Sequence, residues 1–302
     1  IDAKAKSESM TIRAYTELGV QANGSLDSQT DATTRSINLR HSYISVSNSM
    51  GTLTMGHTGT AGAYWISNSL SGTGNSGFYD GPVLGGQKLR VKGDTGTAGN
   101  NTAASPVTVG GITNSLQGGG SRKSNIKFST NEMGGFTAAV GYADNDHGSA
   151  GVSYSGDFDG TKVIASVGIA SRGGTSSIDA EYGGSIAIAL AGGIHGSIAY
   201  SKRDLNTNAG QGNVGLKNPD FWGASIGYTM GANGITAQYG VTNDLGANKN
   251  EATRMALVAQ HNLSAYGASV YGGISNTDYD TPSTATQYDD LTGGWVGIRV
   301  KF

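Results

Sequence analysis

The last twelve residues, Leu291 to Phe302, read LTGGWVGIRVKF and alternate strictly in character. An apolar set falls on one parity and a small or charged set on the other: Val296, Ile298, Val300 and Phe302 against Gly297, Arg299 and Lys301. A β-strand in this register shows one face to hydrocarbon and one to water. It also places an aromatic ring at the end of the strand, where a membrane interface holds such rings. This stretch predicts a strand of a transmembrane barrel.

The composition agrees with that interpretation. Charged residues make up 14% of the chain, against roughly 25% in a typical soluble domain, yet the mean hydropathy is only −0.27. No run approaches the ~18 apolar residues of a membrane helix. Fifty glycines and fourteen tyrosines among 302 residues favour many short strands joined by turns. The net charge of −2 gives no reason to expect nucleic acid as a partner.

The same alternation recurs along the whole chain, in about fourteen segments of roughly the ten residues that a tilted membrane strand requires. The connections between them alternate in length, with short ones such as 156–160 and 230–234 and longer polar ones such as 203–219 and 276–290. A barrel with brief periplasmic turns and long external loops has this pattern. We therefore predict an all-β fold, a transmembrane antiparallel β-barrel that forms one domain over residues 1–302.

One connection, from about His57 to Gly120, is far longer than the dozen residues that a structureless loop usually has, and such length is generally functional or disordered. Its charged residues are two acids and three bases: Asp80, Asp94, Lys88, Arg90 and Lys92.

Two further stretches are similar to the Gram-negative general porins, and to the alphaproteobacterial porins in particular. RHSYISVSNSMGTLTMGH, from Arg40 to His57, resembles the arginine, aromatic, short turn and Gly-Thr strand that precede the third loop of that family. SNIKFSTNEMGGFTAAVGYA, from Ser124 to Ala143, resembles the strand, turn and GF-containing strand that follow it. The resemblance implies an outer-membrane barrel of sixteen strands, a homotrimer, and a third loop, here residues 61–121, folded inward to constrict the pore. The long connection takes that position only if two strands precede Met10, so the chain either lacks the family's first hairpin or forms a fourteen-stranded barrel.

The resemblance also implies a constriction at which wall arginines face acidic groups on the third loop. Arg40 matches one wall arginine, and Arg122 is a candidate for another. Parity alone turns Arg13 and Glu17 inward, and Lys127 joins them on the proposed wall. The candidate pore-constriction residues are Arg13, Glu17, Arg40, Asp80, Lys88, Arg90, Lys92, Asp94, Arg122 and Lys127. The basic excess departs from the family's acidic loop and predicts a weak anion preference.

Other motifs indicate no catalytic, cofactor or metal site. Gly223 to Gly227 reads GASIG and matches the nucleophile-elbow pattern, but it lies within an alternating segment where no strand-to-helix turn exposes the serine. The five histidines have no metal-ligand spacing. Aromatic residues near the predicted strand ends indicate a membrane girdle: Tyr142, Tyr200, Phe221, Trp222, Tyr228, Tyr266 and Trp295.

The predicted function is passive diffusion of ions and small hydrophilic solutes through a water-filled lumen in the outer membrane. The expected partners are those solutes, membrane lipid and lipopolysaccharide, with no cofactor. A substrate-selective channel and an envelope-anchoring barrel subunit remain alternatives, because both would use the same barrel. An enzyme is not expected.

Overall fold

The computed structural model describes residues 1–21, 36–62, 68–74, 84–93, 107–116, 122–173, 176–208, 212–282 and 284–300. Over these residues the fold consists almost entirely of antiparallel strands. The strands are β1 (Asp2–Lys6), β2 (Thr11–Gln21), β3 (Ser36–Ser47), β4 (Gly51–Gly59), β5 (Arg122–Thr130), β6 (Phe136–Ala143), β7 (His147–Phe158), β8 (Thr161–Ser171), β9 (Ile178–Ala189), β10 (Ile194–Leu205), β11 (Asp220–Met230), β12 (Asn233–Asn243), β13 (Glu251–Leu263), β14 (Ala268–Asp280) and β15 (Leu291–Val300).

Each strand pairs with its neighbours in sequence, so the order in the sheet is β1 to β15 without a crossover. Most strands have nine to thirteen residues, the length that a tilted strand needs to cross a bilayer. Within the described ranges, β1 and β15 are the two ends of the sheet. An uninterrupted series of antiparallel strands of this length, each paired with its neighbours in sequence, is the arrangement of a membrane barrel. The predicted transmembrane antiparallel β-barrel is confirmed.

The strand count of about fourteen was one short, because it missed β1, which has only five residues and precedes Met10. β1 pairs with β2 from Asp2↔Tyr15 to Lys6↔Thr11. The structure therefore describes fifteen strands, with one strand rather than two before Met10. The long connection runs between β4, which ends at Gly59, and β5, which begins at Arg122.

The outer face of the barrel is apolar and exposed. In β15 the exposed fractions of Val296 and Ile298 are 82% and 64%, and the intervening residue Gly297 packs against Tyr271 on the inner face of β14. The same outward parity holds along the sheet, with exposed Ile126, Val140, Val152, Val167, Ile198, Ile226, Met255 and Ile274. Such a band suits the hydrocarbon of a bilayer.

Most of the predicted girdle residues are exposed, and two are not part of the girdle. Tyr142, Tyr200, Trp222, Tyr228 and Tyr266 are all more than 40% exposed.

Phe221 instead is 1% exposed and packs in an interior cluster with Leu116 and Ala199. Trp295 has the inward parity of its strand and lies against Gly273. Phe221 lies near a strand end, as predicted, whereas Trp295 is in the middle of β15, and the parity of both residues turns them inward.

One end of the barrel carries tight turns. Between β7 and β8 only Asp159 and Gly160 connect the strands, with φ of 51° and 82°. Positive φ at both central residues is what a two-residue hairpin turn requires, and Asp-Gly supplies it at low cost. The other end carries the longer connections, among them 206–219, 244–250 and 281–290.

Among the described residues, no helix is long and apolar enough to cross a membrane. The one α-helix in the described part of the chain, α1 (Val109–Ile112), is a single turn within the long connection between β4 and β5.

Candidate functional site: the lumen and its inward connection

The inner face of the barrel is polar over most of its surface. Buried polar side chains follow the inward parity of successive strands: Ser45, Thr54, Asn125, Ser149, Ser185, Ser197, Ser201, Thr236, Gln238, Thr242, Ser275 and Thr277. Because successive residues point to opposite faces, these positions follow from the same alternation that exposes the apolar set outside. The strands therefore enclose a hydrophilic lumen.

The described parts of the connection 60–121 contact this inner face rather than the outside of the barrel. The first described contact is Ala61, which lies against Gly141 of β6. Asn68 follows, and its Nδ2 donates to the Ser166 hydroxyl on β8 at 2.6 Å and to the Ser185 carbonyl on β9 at 3.3 Å. Its backbone N–H also donates to the Ser185 hydroxyl. All of these partners lie on the inward parity near the middle of their strands.

The next described residues lie near the tight-turn end of the barrel. Thr73 and Thr236 of β12 form a hydroxyl–hydroxyl hydrogen bond of 2.9 Å, and both side chains are at most 1% exposed. Gly72 and Gly234 approach so closely that a Cβ on Gly234 would lie 3.1 Å from the Gly72 carbonyl carbon. The connection therefore extends deep along the inner wall.

The connection then packs against β13 to β15 near their long-loop end. Leu89 is fully buried in a cluster with Val109, Ile112 and Ala252 of β13. Lys88 pairs with Thr108, which holds residues 84–93 beside residues 107–110.

The same segment pairs with the last long connection as well. Val91 pairs with Tyr288, and the Asp289 N–H donates to the Arg90 carbonyl at 2.8 Å. If the connection folds inward, its large apolar side chains are expected to anchor it, with Trp65, Phe78 or Leu84 as candidates. Leu84 lies against Gly293 of β15, and Trp65 and Phe78 lie outside the described residues.

Residues 114–116 return along β10 to β12. The Ser201 hydroxyl donates to the Ser115 carbonyl, and the Thr242 hydroxyl donates to the Asn114 carbonyl at 3.2 Å. Leu116 completes this contact by packing on Phe221. In its described parts, the connection contacts the inner wall from β6 to β15.

The predicted wall residues Glu17 and Arg40 form an ion pair, with Arg40 Nε 2.6 Å from Glu17 Oε1. The pairing of β2 with β3 shifts at this point, since Glu17 is opposite His41 and Leu18 is opposite Leu39. Arg40 is therefore the extra residue of a β-bulge, which re-aims side chains.

The bulge also reverses the parity expected beyond it. Strict alternation in this segment of the sequence predicts that Tyr43 shares the face of Leu39. In the structure Tyr43 lies inside instead, where its hydroxyl accepts a 3.1 Å hydrogen bond from Arg13 Nη1. The single inserted residue explains the reversal.

Arg13 faces inward as predicted, and its guanidinium is fixed by several neighbours. Its Nε and Nη2 donate to the two carboxylate oxygens of Asp2 at 2.8 and 3.0 Å. Its Cζ also lies 4.5 Å above the centre of the Tyr15 ring. A bidentate pair with a stacked ring holds an arginine in a single orientation.

Lys127 faces inward and is half-buried, and Arg122 lies near the long-loop end of the same strand. The Lys127 ammonium donates to the Gly59 carbonyl at 2.9 Å. Arg122 Nε lies 3.3 Å from His41 Nε2. The wall charges thus cluster on β2, β3 and β5.

The predicted bases of the connection lie apart from that cluster. Lys88, Arg90 and Lys92 are exposed and are carried by the segment that packs on β13 to β15. The two predicted acids, Asp80 and Asp94, lie outside the described residues.

A second group of buried charges on the inner wall was not predicted. Glu181 on β9 is 1% exposed and accepts from Arg203 Nε at 2.6 Å and from Arg172 Nη2 at 3.1 Å. Arg254 on β13 is also buried, at 2% exposure. Parity could have found Glu181, because alternation in this segment places the apolar residues Tyr182 and Ile186 on one face and Glu181 on the other.

Within the described ranges, no three His, Cys, Asp or Glu side chains come together in a way that could hold a metal ion.

Comparisons with known proteins agree with this architecture. The family model described as Gram-negative porin matches residues 5–282. None of the curated proteins compared with the chain matches its sequence.

Among solved structures, the anion-selective porin from Comamonas acidovorans is similar over 99% of this chain and 87% of its own, with 17% identity and a TM-score of 0.59. The trimer form of OmpT, an outer membrane protein of Vibrio cholerae, covers 98% and 87% with 14% identity and a TM-score of 0.57. A mutant of the Rh. blastica porin covers 100% and 88% with 14% identity and a TM-score of 0.56. At such identities these likenesses show the fold. The family match over most of the sequence shows that this chain belongs to the Gram-negative porins, the channel-forming β-barrels of the bacterial outer membrane.

Proposed function

We propose that this porin lets small hydrophilic solutes and ions diffuse passively across the outer membrane, with a weak preference for anions. The observation that carries the proposal is the inner wall, where polar and charged side chains line the lumen and a long connection lies against them. A barrel of this strand number leaves an aqueous channel. The family is one of channels rather than enzymes, and no cofactor is needed for diffusion.

The charge of the described wall supports an anion preference. On β1 to β5 the inward bases are Lys4, Lys6, Arg13, Arg40, Lys123 and Lys127, and the inward acids of these strands are Asp2 and Glu17. Lys88, Arg90 and Lys92 add positive charge on the connection. Fixed positive charge beside a narrow water-filled passage raises the local anion concentration, and low-dielectric walls strengthen that effect.

We further propose that residues 61–121 narrow the pore. The contacts of Asn68, Thr73 and Leu89 with strands from β8 to β13 support this, because a segment that follows the inner wall removes cross-section from the lumen. In this proposal the ten predicted constriction residues act in two groups, one on the β2–β5 wall and one on the connection.

The proposed assembly is a homotrimer in lipid. The OmpT structure with a similar fold is a trimer form, and the exposed apolar band of the barrel suits contact with acyl chains and with a second copy. Lipopolysaccharide is the proposed partner at the long-loop end.

Two measurements test the proposal. Liposomes that contain the purified protein should swell in isotonic solutions of small sugars, at rates that fall with solute size. Deleting Thr73 to Thr113 should raise single-channel conductance severalfold, whereas unchanged conductance would show that the connection does not constrict the pore. If the protein were an envelope-anchoring subunit, the liposomes would not swell and the bilayer would show no conductance. If it were a substrate-selective channel, the liposomes would swell in only one class of solute.

A further inference from the structure

The inner wall of β1 to β5 holds a cavity of about 280 Å³ in which basic and hydroxyl side chains converge. Its lining includes Lys4, Arg13, Tyr43, Ser45, Thr54 and Lys127. We propose that this cavity is a binding site for a doubly charged phosphate group, so that phosphate binds in a saturable way while chloride passes freely. The proposal rests on the proposed function, since it adds a binding step to the same lumen.

The side chains that line the cavity are brought together by the pairing register of five neighbouring strands. Lys4 is opposite Arg13, Arg13 opposite Ser45, Ser45 opposite Thr54, and Thr54 opposite Lys127. These five side chains form one row across the inner face, with cations at its two sides and two hydroxyls in its centre.

The row has a suitable width for one oxyanion. Arg13 and Lys127 are three strand spacings apart, or about 14 Å between Cα atoms at about 4.8 Å per spacing. Lys127 borders the centre from one side, and Arg13, whose guanidinium is held by Asp2 and the Tyr43 hydroxyl, borders it from the other. A tetrahedral group can offer separate acceptor oxygens to the two cations, whereas a chloride ion offers a single acceptor atom.

The hydroxyls in the centre are available to a ligand. Ser45 and Thr54 are each 7% exposed, and in the described part of the chain neither hydroxyl has a hydrogen-bond partner. Both line the cavity. Tyr43 lies two residues before Ser45 on the same face of β3. Its hydroxyl oxygen accepts a hydrogen bond from Arg13, so its hydroxyl proton is free to donate to a ligand. Charged oxyanions are bound most strongly by several such donors together.

The charge of the cavity is unbalanced. Lys4 and Arg13 share one carboxylate, Asp2, at 3.6 and 2.8 Å. Lys127 has no carboxylate partner among the described residues, and its one hydrogen bond goes to the neutral Gly59 carbonyl. The other nearby acid, Glu17, is engaged by Arg40. Three cations against one anion leave two positive charges, which a dianion would neutralise.

The test is single-channel recording of the full-length protein in a planar bilayer. Inorganic phosphate is added at about pH 8, where a phosphate is doubly charged, while ionic strength is held constant and low because salt screens the interaction. Wild type should lose chloride current as phosphate rises, and the loss should saturate. Lys127→Gln should raise the half-blocking concentration about tenfold, the effect of one hydrogen bond to a charged group. Thr54→Val should raise it severalfold.

Lys123→Gln is the matched control, because it removes one positive charge from the inner face of the same strand. Lys123 lies 3.7 Å from Asp144 and does not line the cavity. The phosphate concentration that half-blocks the Lys123→Gln channel should stay within about twofold of the wild-type value, because an exposed ion pair contributes little. Equal effects of Lys123→Gln and Lys127→Gln would overturn the proposal, since they would show a general charge effect and no local site.

Two further arms complete the test. Glycerol 3-phosphate in place of inorganic phosphate separates a site for the free ion from one that also accepts the group on an organic solute; block by either one supports the proposal. Calorimetric titration of inorganic phosphate into the detergent-solubilised protein should show binding that Lys127→Gln weakens. If wild type conducts with an anion preference but phosphate neither blocks nor binds, this inference fails while the proposed function stands.

Discussion

Truncating Leu89 to alanine should loosen the long connection from the barrel wall. Leu89 is fully buried between the connection and Ala252 of β13, in the larger of the two apolar clusters among the described residues. A buried Leu→Ala change costs about 2–5 kcal/mol, because transfer free energy is lost and a cavity remains. Taking about 3 kcal/mol, and a tenfold change for every 1.4 kcal/mol, the detached state should become roughly a hundredfold more populated.

The assay is the current of single channels in a planar bilayer, since the detached connection changes the cross-section of the lumen. Leu89→Ala should show frequent excursions to a second conductance level that are rare in wild type. Val91→Ala, at a half-buried position two residues further on, should stay close to wild type. If Leu89→Ala shows such excursions no more often than wild type, the reasoning is refuted, because this contact then does not hold the connection in place.

Three further predictions concern the barrel. The purified protein should have a β-rich circular dichroism spectrum in detergent and should migrate faster on a gel unheated than boiled; a helix-rich spectrum would contradict the fold. Glu181→Gln should lower the unfolding temperature in detergent, because it leaves the partly buried Arg203 without its charge partner at a cost of about 3–5 kcal/mol; an unchanged temperature would show that solvent compensates the arginine. A cysteine at Asn248 should be labelled on intact cells and one at Gly231 should not; the reverse pattern would mean that the tight turns face outward.

Much of the barrel could be predicted from the sequence, because a strand with one apolar and one polar face has apolar residues at every second position. In β15 the parity of Val296 and Ile298 was sufficient to assign both faces, and the structure agrees. The five-residue β1 was missed because it is too short to establish a period. The inserted Arg40 could not be recognised either, since a bulge leaves no mark in composition, and the assignment of Tyr43 was therefore wrong.

The contacts of the connection were beyond prediction for a different reason. Thr73 meets Thr236 across 163 residues of sequence, and Asn68 meets Ser185 across 117. No local pattern encodes such pairs, because they depend on how the whole barrel folds. The row from Lys4 to Lys127 is similar: each residue has the right parity, but only the strand register shows that they align.

The measurement that tests the central claim most directly is the zero-current potential of the wild-type channel in a tenfold KCl gradient. The excess of wall bases over wall acids predicts a potential whose sign reports chloride preference, well below the ~59 mV of a perfectly selective pore. Arg40→Glu combined with Lys127→Glu should shift it towards potassium. A clear potassium preference in the wild type would contradict the account, because acidic groups would then dominate the narrowest part of the pore.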